Sequence, residues 1–218
     1  GSNNVAIGFE ALDGNTTADN NIGIGYQALF ANTTGNHNIA IGKNALDANT
    51  VGDRNVAIGS TALTNFNPGS DSDTYNTAIG YSAGNDMTTG VDNTLIGGLA
   101  GDALTVADAN VAIGTAALTS DTKGSKTVAI GKGALQVQNF TSATDSNNTA
   151  VGFQSAASNT TGTNNVAIGT NSFGSNTTGS SNVAIGENAL GSNSTASSNT
   201  AVGYRAMLAN TTGALNVA

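Results

Sequence analysis

The chain has 218 residues, of which only 9% are charged, against about 25% in ordinary soluble domains. Asn alone outnumbers all charged residues together, and Gly is almost as common, so the surface must consist largely of uncharged polar side chains. A net charge of −8 with only 6 Lys and Arg argues against a nucleic-acid partner, and the absence of Cys excludes disulfides and thiolate metal sites. No apolar run approaches the roughly 20 residues that cross a bilayer, so we expect no membrane contact within this segment.

A short repeat runs through the whole chain, and its period decides how the sequence is interpreted. The motif Asn-Val-Ala-Ile-Gly recurs with a period of seventeen, except for two intervals of twenty-one, and a thirteenth unit begins at 216–218. No linker interrupts this register, so the sequence predicts one repeat domain over 1–218, a fragment of a longer fibrous protein. The closing glycines are Gly8, Gly25, Gly42, Gly59, Gly80, Gly97, Gly114, Gly131, Gly152, Gly169, Gly186 and Gly203.

Before each closing glycine, β-branched residues alternate with small ones, which is typical of a β-strand. Val or Ile positions therefore share one face, and Asn or Ala positions share the other. We expect the Val and Ile side chains to point inward and form the core, and the alanines to face neighbouring copies. The predicted core residues are Ile7, Ile24, Ile41, Ile58, Ile79, Ile96, Ile113, Ile130, Val151, Ile168, Ile185 and Val202. On this prediction, Ile113→Asp would melt the central coils, because an unpaired buried charge is very costly.

An asparagine precedes the strand in eleven of the twelve units, and Thr127 takes its place in the other. Identical asparagines in stacked coils would form a ladder of side-chain amides, as in cross-β stacks. The predicted ladder comprises Asn4, Asn21, Asn38, Asn55, Asn76, Asn93, Asn110, Asn148, Asn165, Asn182 and Asn199.

After the closing glycine, an Ala and then usually a Leu predict a second short strand that contributes one large side chain per coil. Asn-Thr-Thr-Gly follows at 32–35, 159–162, 176–179 and 210–213, and these residue types favour a turn. Together the elements predict an all-β parallel β-solenoid, or β-roll, of twelve to thirteen coils. Each coil buries only about three large side chains, so we expect a homo-oligomer.

The motif Asn-Val-Ala-Ile-Gly-x-x-Ala, as at 4–11 and 55–62, resembles the head repeats of YadA-like trimeric autotransporter adhesins. The resemblance covers the whole chain. It implies a left-handed β-roll, a homotrimer and display on a bacterial surface for adhesion. The units with Tyr-x-Ala-Leu and Asn-Thr-Thr-Gly also resemble shaft repeats of phage tail fibres, which are trimeric too.

The two long coils, around 65–75 and 136–147, are the candidate sites for contact with a partner, because insertions in solenoids often map to a binding face. Tolerated loop length is the alternative explanation. The candidate contact residues are Asn65, Phe66, Tyr75, Asn139 and Phe140. Asp71, Asp73 and Asp145 are weak candidates for Ca²⁺ ligands, since Ca²⁺ needs six to eight oxygen atoms. The single histidine, His37, has no recognisable catalytic partners.

These observations favour a non-enzymatic, extracellular β-roll without cofactor or bound metal, which mediates attachment as part of an adhesin head. Its partners would be two further copies of the chain and a surface receptor, either protein or glycan. A tail-fibre shaft on a phage-like particle, which positions a receptor-binding tip, is the alternative. Ice binding by stacked Thr hydroxyls is a third hypothesis.

Overall fold

The computed structural model describes residues 1–218 and contains β-strands and turns but no helix. The chain is a parallel β-solenoid of about twelve coils, and most of them have the seventeen-residue length that the periodicity predicts. It divides into two compact units, Gly1–Ala109 and Asn110–Ala218. That all 218 residues act as one domain remains a prediction.

Each coil contributes one strand of three residues to a parallel sheet, and each long coil adds a two-residue strand that pairs with one from the coil before it. The strands of the first unit are β1 (Val5–Ile7), β2 (Ile22–Ile24), β3 (Ile39–Ile41), β4 (Gly52–Asp53), β5 (Val56–Ile58), β6 (Ser72–Asp73), β7 (Thr77–Ile79) and β8 (Thr94–Ile96). Those of the second unit are β9 (Val111–Ile113), β10 (Gly124–Ser125), β11 (Val128–Ile130), β12 (Thr144–Asp145), β13 (Thr149–Val151), β14 (Val166–Ile168), β15 (Val183–Ile185) and β16 (Thr200–Val202).

Equivalent residues of successive coils pair directly. In the first unit the main sheet has the order β1-β2-β3-β5-β7-β8, and in the second β9-β11-β13-β14-β15-β16. Val5 pairs with Ile22, Ala6 with Gly23, and so on without a shift, even across the long coils. The additional strands pair as β4-β6 and β10-β12. The four extra residues of a long coil are therefore accommodated in a loop, and the sheet keeps its register.

The predicted inward face of the strand is wrong, because the structure places the alanines inside the solenoid and the Val and Ile residues outside. The middle residue of every strand from β2 to β16 in the main sheets is buried, whereas the first and third residues are half-exposed or exposed. None of the twelve predicted core residues is buried: Ile7, Ile24, Ile41, Ile58, Ile79, Ile96, Ile113, Ile130, Val151, Ile168, Ile185 and Val202. The coil interior is narrow, and leucines from the opposite side already fill it.

The predicted second strand after the closing glycine is also wrong. This segment is a chain of tight turns in which two residues per coil adopt left-handed backbone angles. In the first coil these are Glu10 at φ 55° and Leu12 at φ 56°. The left-handed turn directs the leucine into the coil, where Leu29, Leu46 and Leu63 are completely buried. Burial of about 1.5–3 kcal/mol per large side chain compensates for a backbone conformation that non-glycine residues rarely adopt.

Where a coil carries a larger side chain at one interior position than the other coils do, a neighbouring interior position carries a smaller one. Leu95 replaces the strand alanine and is fully buried, and glycines occupy the leucine position at Gly84 and Gly101. A Cβ at either glycine would lie 2.8 Å from a methyl group of Leu95. Interiors at crystalline packing density leave no room for both side chains. The coils therefore vary in sequence while they conserve interior volume.

The closing glycines are required by the approach of neighbouring coils. Gly25 has φ 135°, and a Cβ there would collide with the carbonyl group of Gly42 in the next coil. Any other residue would be strained in its backbone angle and would also push the coils apart.

Candidate functional site

The outward Val and Ile residues form a continuous uncharged surface in each unit, which we call the apolar face. In the first unit it comprises Val5, Ile7, Ile22, Ile24, Ile39, Ile41, Val56, Ile58, Thr77, Ile79, Thr94 and Ile96. In the second unit it comprises Val111, Ile113, Val128, Ile130, Thr149, Val151, Val166, Ile168, Val183, Ile185, Thr200 and Val202. Contiguous apolar surface of this kind is typical of an interaction site.

An exposed row that follows the closing glycines borders the apolar face. It carries five aromatic residues, Phe9, Tyr26, Tyr81, Phe153 and Tyr204, all largely exposed. The rings of Phe9 and Tyr26 stack in adjacent coils, with centroids 5.5 Å apart and planes inclined by 12°. The guanidinium of Arg205 lies 5.2 Å from the ring centroid of Tyr204. These aromatics extend the area that a partner could cover.

The asparagines that precede the strands lie on the opposite, inward side and are buried from Asn21 onward. Along this row the Oδ1 atom accepts the backbone N–H of the equivalent residue in the next coil, at 2.8–3.2 Å. The Nδ2 atom donates to a carbonyl oxygen fourteen residues later, as from Asn38 to Gly52 at 2.8 Å. The row thus ties side chain to backbone, and in some coils, as from Asn55 to Asn38, an amide–amide bond is added.

The exception at Thr127 is compensated by its neighbours. Its hydroxyl lies 2.6 Å from the hydroxyl of Ser146 and accepts a hydrogen bond from Gln138. Ser146 in turn accepts the N–H of Asn148, which elsewhere in the row bonds to an asparagine. Three polar residues therefore replace one asparagine without leaving the next backbone group unpaired.

A second interior row lies at the Asn-Thr-Thr-Gly segment, for which the residue types predict only a turn. Asn32, Asn49, Asn159, Asn176 and Asn193 are buried. Their Nδ2 atoms donate to the carbonyl three residues later at 2.9–3.1 Å, and Asn176 also donates to Asn159 at 2.7 Å. The signal in the sequence is that Phe66, Met87 and Leu104 occupy the same coil position, which only an interior site would accept.

The first threonine of the turn also makes a hydrogen bond between coils of the solenoid. Its hydroxyl donates to a carbonyl of the next coil, as from Thr33 to Thr50 and from Thr160 to Thr177, both at 2.9 Å. These hydroxyls are therefore engaged in holding coils together, which weakens the ice-binding hypothesis.

Phe66 and Phe140, two of the candidate contact residues in the long coils, are buried and cannot contact a partner. Phe66 fills the interior turn row, and Phe140 packs beside Gly124. Asn65, Tyr75 and Asn139 are exposed. The two phenylalanines of the long coils are therefore interior residues, whereas Tyr75 stays on the surface.

At equivalent positions, an ion pair links each long coil to the coil before it. Arg54 lies 2.8 Å from Asp73, and Lys126 lies 2.5 Å from Asp145. Asp73 also accepts a hydrogen bond from the hydroxyl of Tyr75, and this bond raises the pKa of Tyr75. Both ion pairs are about half exposed, so each contributes at most about 1 kcal/mol.

Two of the weak metal candidates, Asp73 and Asp145, are thus engaged with cations of the chain, and Asp71 lies exposed in its loop. No group of three or more His, Cys, Asp or Glu side chains converges. His37 is exposed, and its ring lies 3.4 Å from the amide of Asn20.

A buried carboxylate occupies the turn row at Asp121. Its Oδ1 accepts N–H groups of Gly124 and Phe140 at 3.0 and 3.1 Å, and its Oδ2 accepts the amide of Gln138 at 2.6 Å. These donors satisfy a charge that would otherwise be costly to bury. They also anchor the start of the second long loop.

Two further carboxyl groups are partly buried in the first unit. Burial raises the pKa of Asp47, while a hydrogen bond from Asn44 lowers it, and its Oδ1 has no partner. Burial also raises the pKa of Asp53 against the opposing effect of the N–H of Asn36. A raised pKa in the folded state means that the fold favours the protonated acid.

We therefore expect Asp47→Asn to stabilise the protein at neutral pH. The contribution of Asp47 to stability is fully present below its unfolded pKa near 3.8 and is lost as the pH rises through the raised folded value. Melting temperatures at pH 3 and pH 7 should show a higher value for the variant than for the wild type at pH 7 only. Asp13→Asn, at the same coil position but exposed, is the control and should show no such gain.

Comparison of the chain with protein-family models, with curated proteins and with solved structures finds no match. No helix suited to crossing a membrane occurs in the structure.

Proposed function

We propose that the chain is a non-enzymatic, extracellular fibrous protein that assembles as a homotrimer and mediates surface attachment, in the manner of an adhesin head. The apolar faces of three parallel chains would meet around a common axis. The left-handed course of the coils and the trimeric state are taken from the resemblance to YadA-like head repeats.

The observation that carries this proposal is the apolar face. Within the second unit Ile168 is 39% exposed, most other Val and Ile residues of the two faces are half-exposed, and no charged residue occurs in either row. Covering such a surface stabilises an assembly by about 25 cal/mol for each Å² removed from water. In a three-fold ring each chain contacts its two neighbours through different parts of its surface, and a face of this uniform composition can serve both contacts.

The remaining exterior fits an attachment role. It carries uncharged polar residues, most of the charged residues, two loops and the aromatic row, while the interior asparagines and leucines hold the coils in place. Attachment by the trimer would then use its outer surface, which the apolar face does not occupy.

The test of the assembly is sedimentation equilibrium. We expect a mass about three times the 21.3 kDa of the chain. Ile41→Asp places a charge on the apolar face and should reduce the mass to that of one chain, whereas Asn65→Asp, exposed in the first long coil, should leave the trimer intact. A wild-type chain that stays monomeric at micromolar concentration would refute the trimer.

The test of attachment uses beads coated with the wild-type chain, with the monomeric Ile41→Asp variant and with an unrelated protein of similar net charge. Wild-type beads should bind a panel of extracellular-matrix proteins and surface glycans, and free trimer should compete. Binding no stronger than that of the unrelated protein would contradict the attachment role.

A further inference from the structure

Four threonines interrupt the apolar face at one strand position. The first residue of the strand is Val or Ile in most coils but is Thr77 and Thr94 in the first unit, where these two pair directly. In the second unit it is Thr149 and Thr200. All four are half-exposed and stand among aliphatic side chains.

The hydroxyls of these threonines make no hydrogen bond within the chain, in contrast to those of the first turn threonines such as Thr33 and Thr160. In a single chain water satisfies them. When the face is covered, each hydroxyl needs another polar partner, since an unpaired buried hydroxyl is destabilising.

We propose that Thr77, Thr94, Thr149 and Thr200 fix the coil register between copies of this chain that pack in parallel through the apolar face. The inference rests on the proposed assembly and goes beyond it, because apolar burial alone does not specify the register. Successive coils present nearly the same Val and Ile pattern, so a shift by one coil, about 4.8 Å, would preserve most apolar contacts.

The pattern of threonines distinguishes the registers. In the unshifted arrangement each threonine meets its own equivalent, and the hydroxyls donate to one another. After a shift by one coil, Thr77 of one copy faces Val56 and Thr77 of another faces Thr94, while Thr149 faces Val128 or Val166. Only one of the four contacts between threonines is then kept. A polar residue in an otherwise apolar interface sets the register of coiled coils by the same physical effect.

The charge distribution favours a second copy over other occupants. The chain carries a net charge of −8, yet none of its charged side chains lies on the apolar face. Identical faces therefore meet without repulsion at the contact, and a copy of the same chain presents its threonines at the same coils.

The experiment uses disulfide formation in a chain that has no native cysteine. One variant carries Ile58→Cys and the other carries Ile79→Cys, so that the two cysteines mark adjacent coils of the face. The Ile79→Cys variant is labelled with ¹⁵N. The two variants are folded together and oxidised, and mass spectrometry counts the adducts. With the native threonines we expect disulfides between like positions and few between 58 and 79.

Replacing all four threonines with valine should raise the share of 58–79 adducts at least fivefold. Thr→Ser at the same four positions keeps the hydroxyls and should restore the native ratio. Thr89→Val, at an exposed turn position, should change nothing.

If the valine variant forms trimers with the same share of 58–79 adducts as the native background, the threonines do not set the register. The proposed assembly would stand in that case. A monomer without intermolecular disulfides would overturn the assembly and this inference with it.

Discussion

Ala112→Asp should unfold the second unit of the chain, whereas the same change at the adjacent residue, Ile113→Asp, should leave it folded. Ala112 is completely buried at the middle of β9, and Ile113 points outward on the apolar face. An aspartate at 112 would place an unpaired charge in the coil interior, which costs several kcal/mol and exceeds the tolerance of a marginally stable domain. Circular dichroism and thermal melting of both variants measure the difference.

Sedimentation of the same pair separates folding from assembly. Ile113→Asp should remain folded but prevent the proposed trimer from forming, because the charge would lie in the proposed interface between chains. Equal loss of folded structure in the two variants would show that the assignment of inside and outside is wrong.

Asn165→Leu should destabilise the protein by about 3 kcal/mol, because a leucine there cannot accept a hydrogen bond. The Oδ1 atom of Asn165 accepts the N–H of Asn182 at 2.9 Å, and its Nδ2 atom donates to Gly179 at 2.8 Å. Loss of Oδ1 leaves a buried N–H group unpaired, and the branched side chain crowds the narrow interior. Urea unfolding, followed by circular dichroism, gives the change in free energy.

The neighbouring substitution Asn164→Ser provides the control. Asn164 is exposed at φ 59°, and Ser181 already adopts φ 58° at the same coil position. This variant should change the free energy of unfolding by less than about 0.5 kcal/mol. Comparable effects of the two substitutions would contradict the structural role of the interior row.

The sequence was sufficient to predict the coil, its period and its parallel stacking, because the motif recurs at a fixed interval. It was not sufficient to decide which face of the strand points inward. Alternation shows that Ala6 and Asn4 share a side and that Val5 and Ile7 share the other, but both arrangements satisfy the pattern. Hydrophobicity favoured the wrong one, since the interior accepts only alanine beside the leucines.

The turns that carry those leucines could not be predicted from local preference. Leu12 and Leu118 have φ of 56° and 55°, a region that a branched apolar residue seldom occupies without tertiary support. Packing of the leucine inside the coil overrides that preference. This misled the interpretation toward a second strand.

Parts of the candidate site were nevertheless visible in the sequence. The asparagine row was marked by its regularity, and the long coils by their length, whereas Phe66 and Phe140 were misassigned as surface contacts. Their burial depends on where the loop folds back, which spacing alone does not reveal. The apolar face could be recognised only once the strand had been oriented.

The unshifted pairing of successive coils makes length an adjustable property of this architecture. Removing one whole coil, from Ile22 to Asn38, would bring together the coils on either side of it. These two coils would pair in the same way as before, because successive coils are of the same type. Duplication or deletion of whole units in the gene could thus change the reach of the protein in steps of about 5 Å. The number of coils could in this way change while every contact between neighbouring coils is kept.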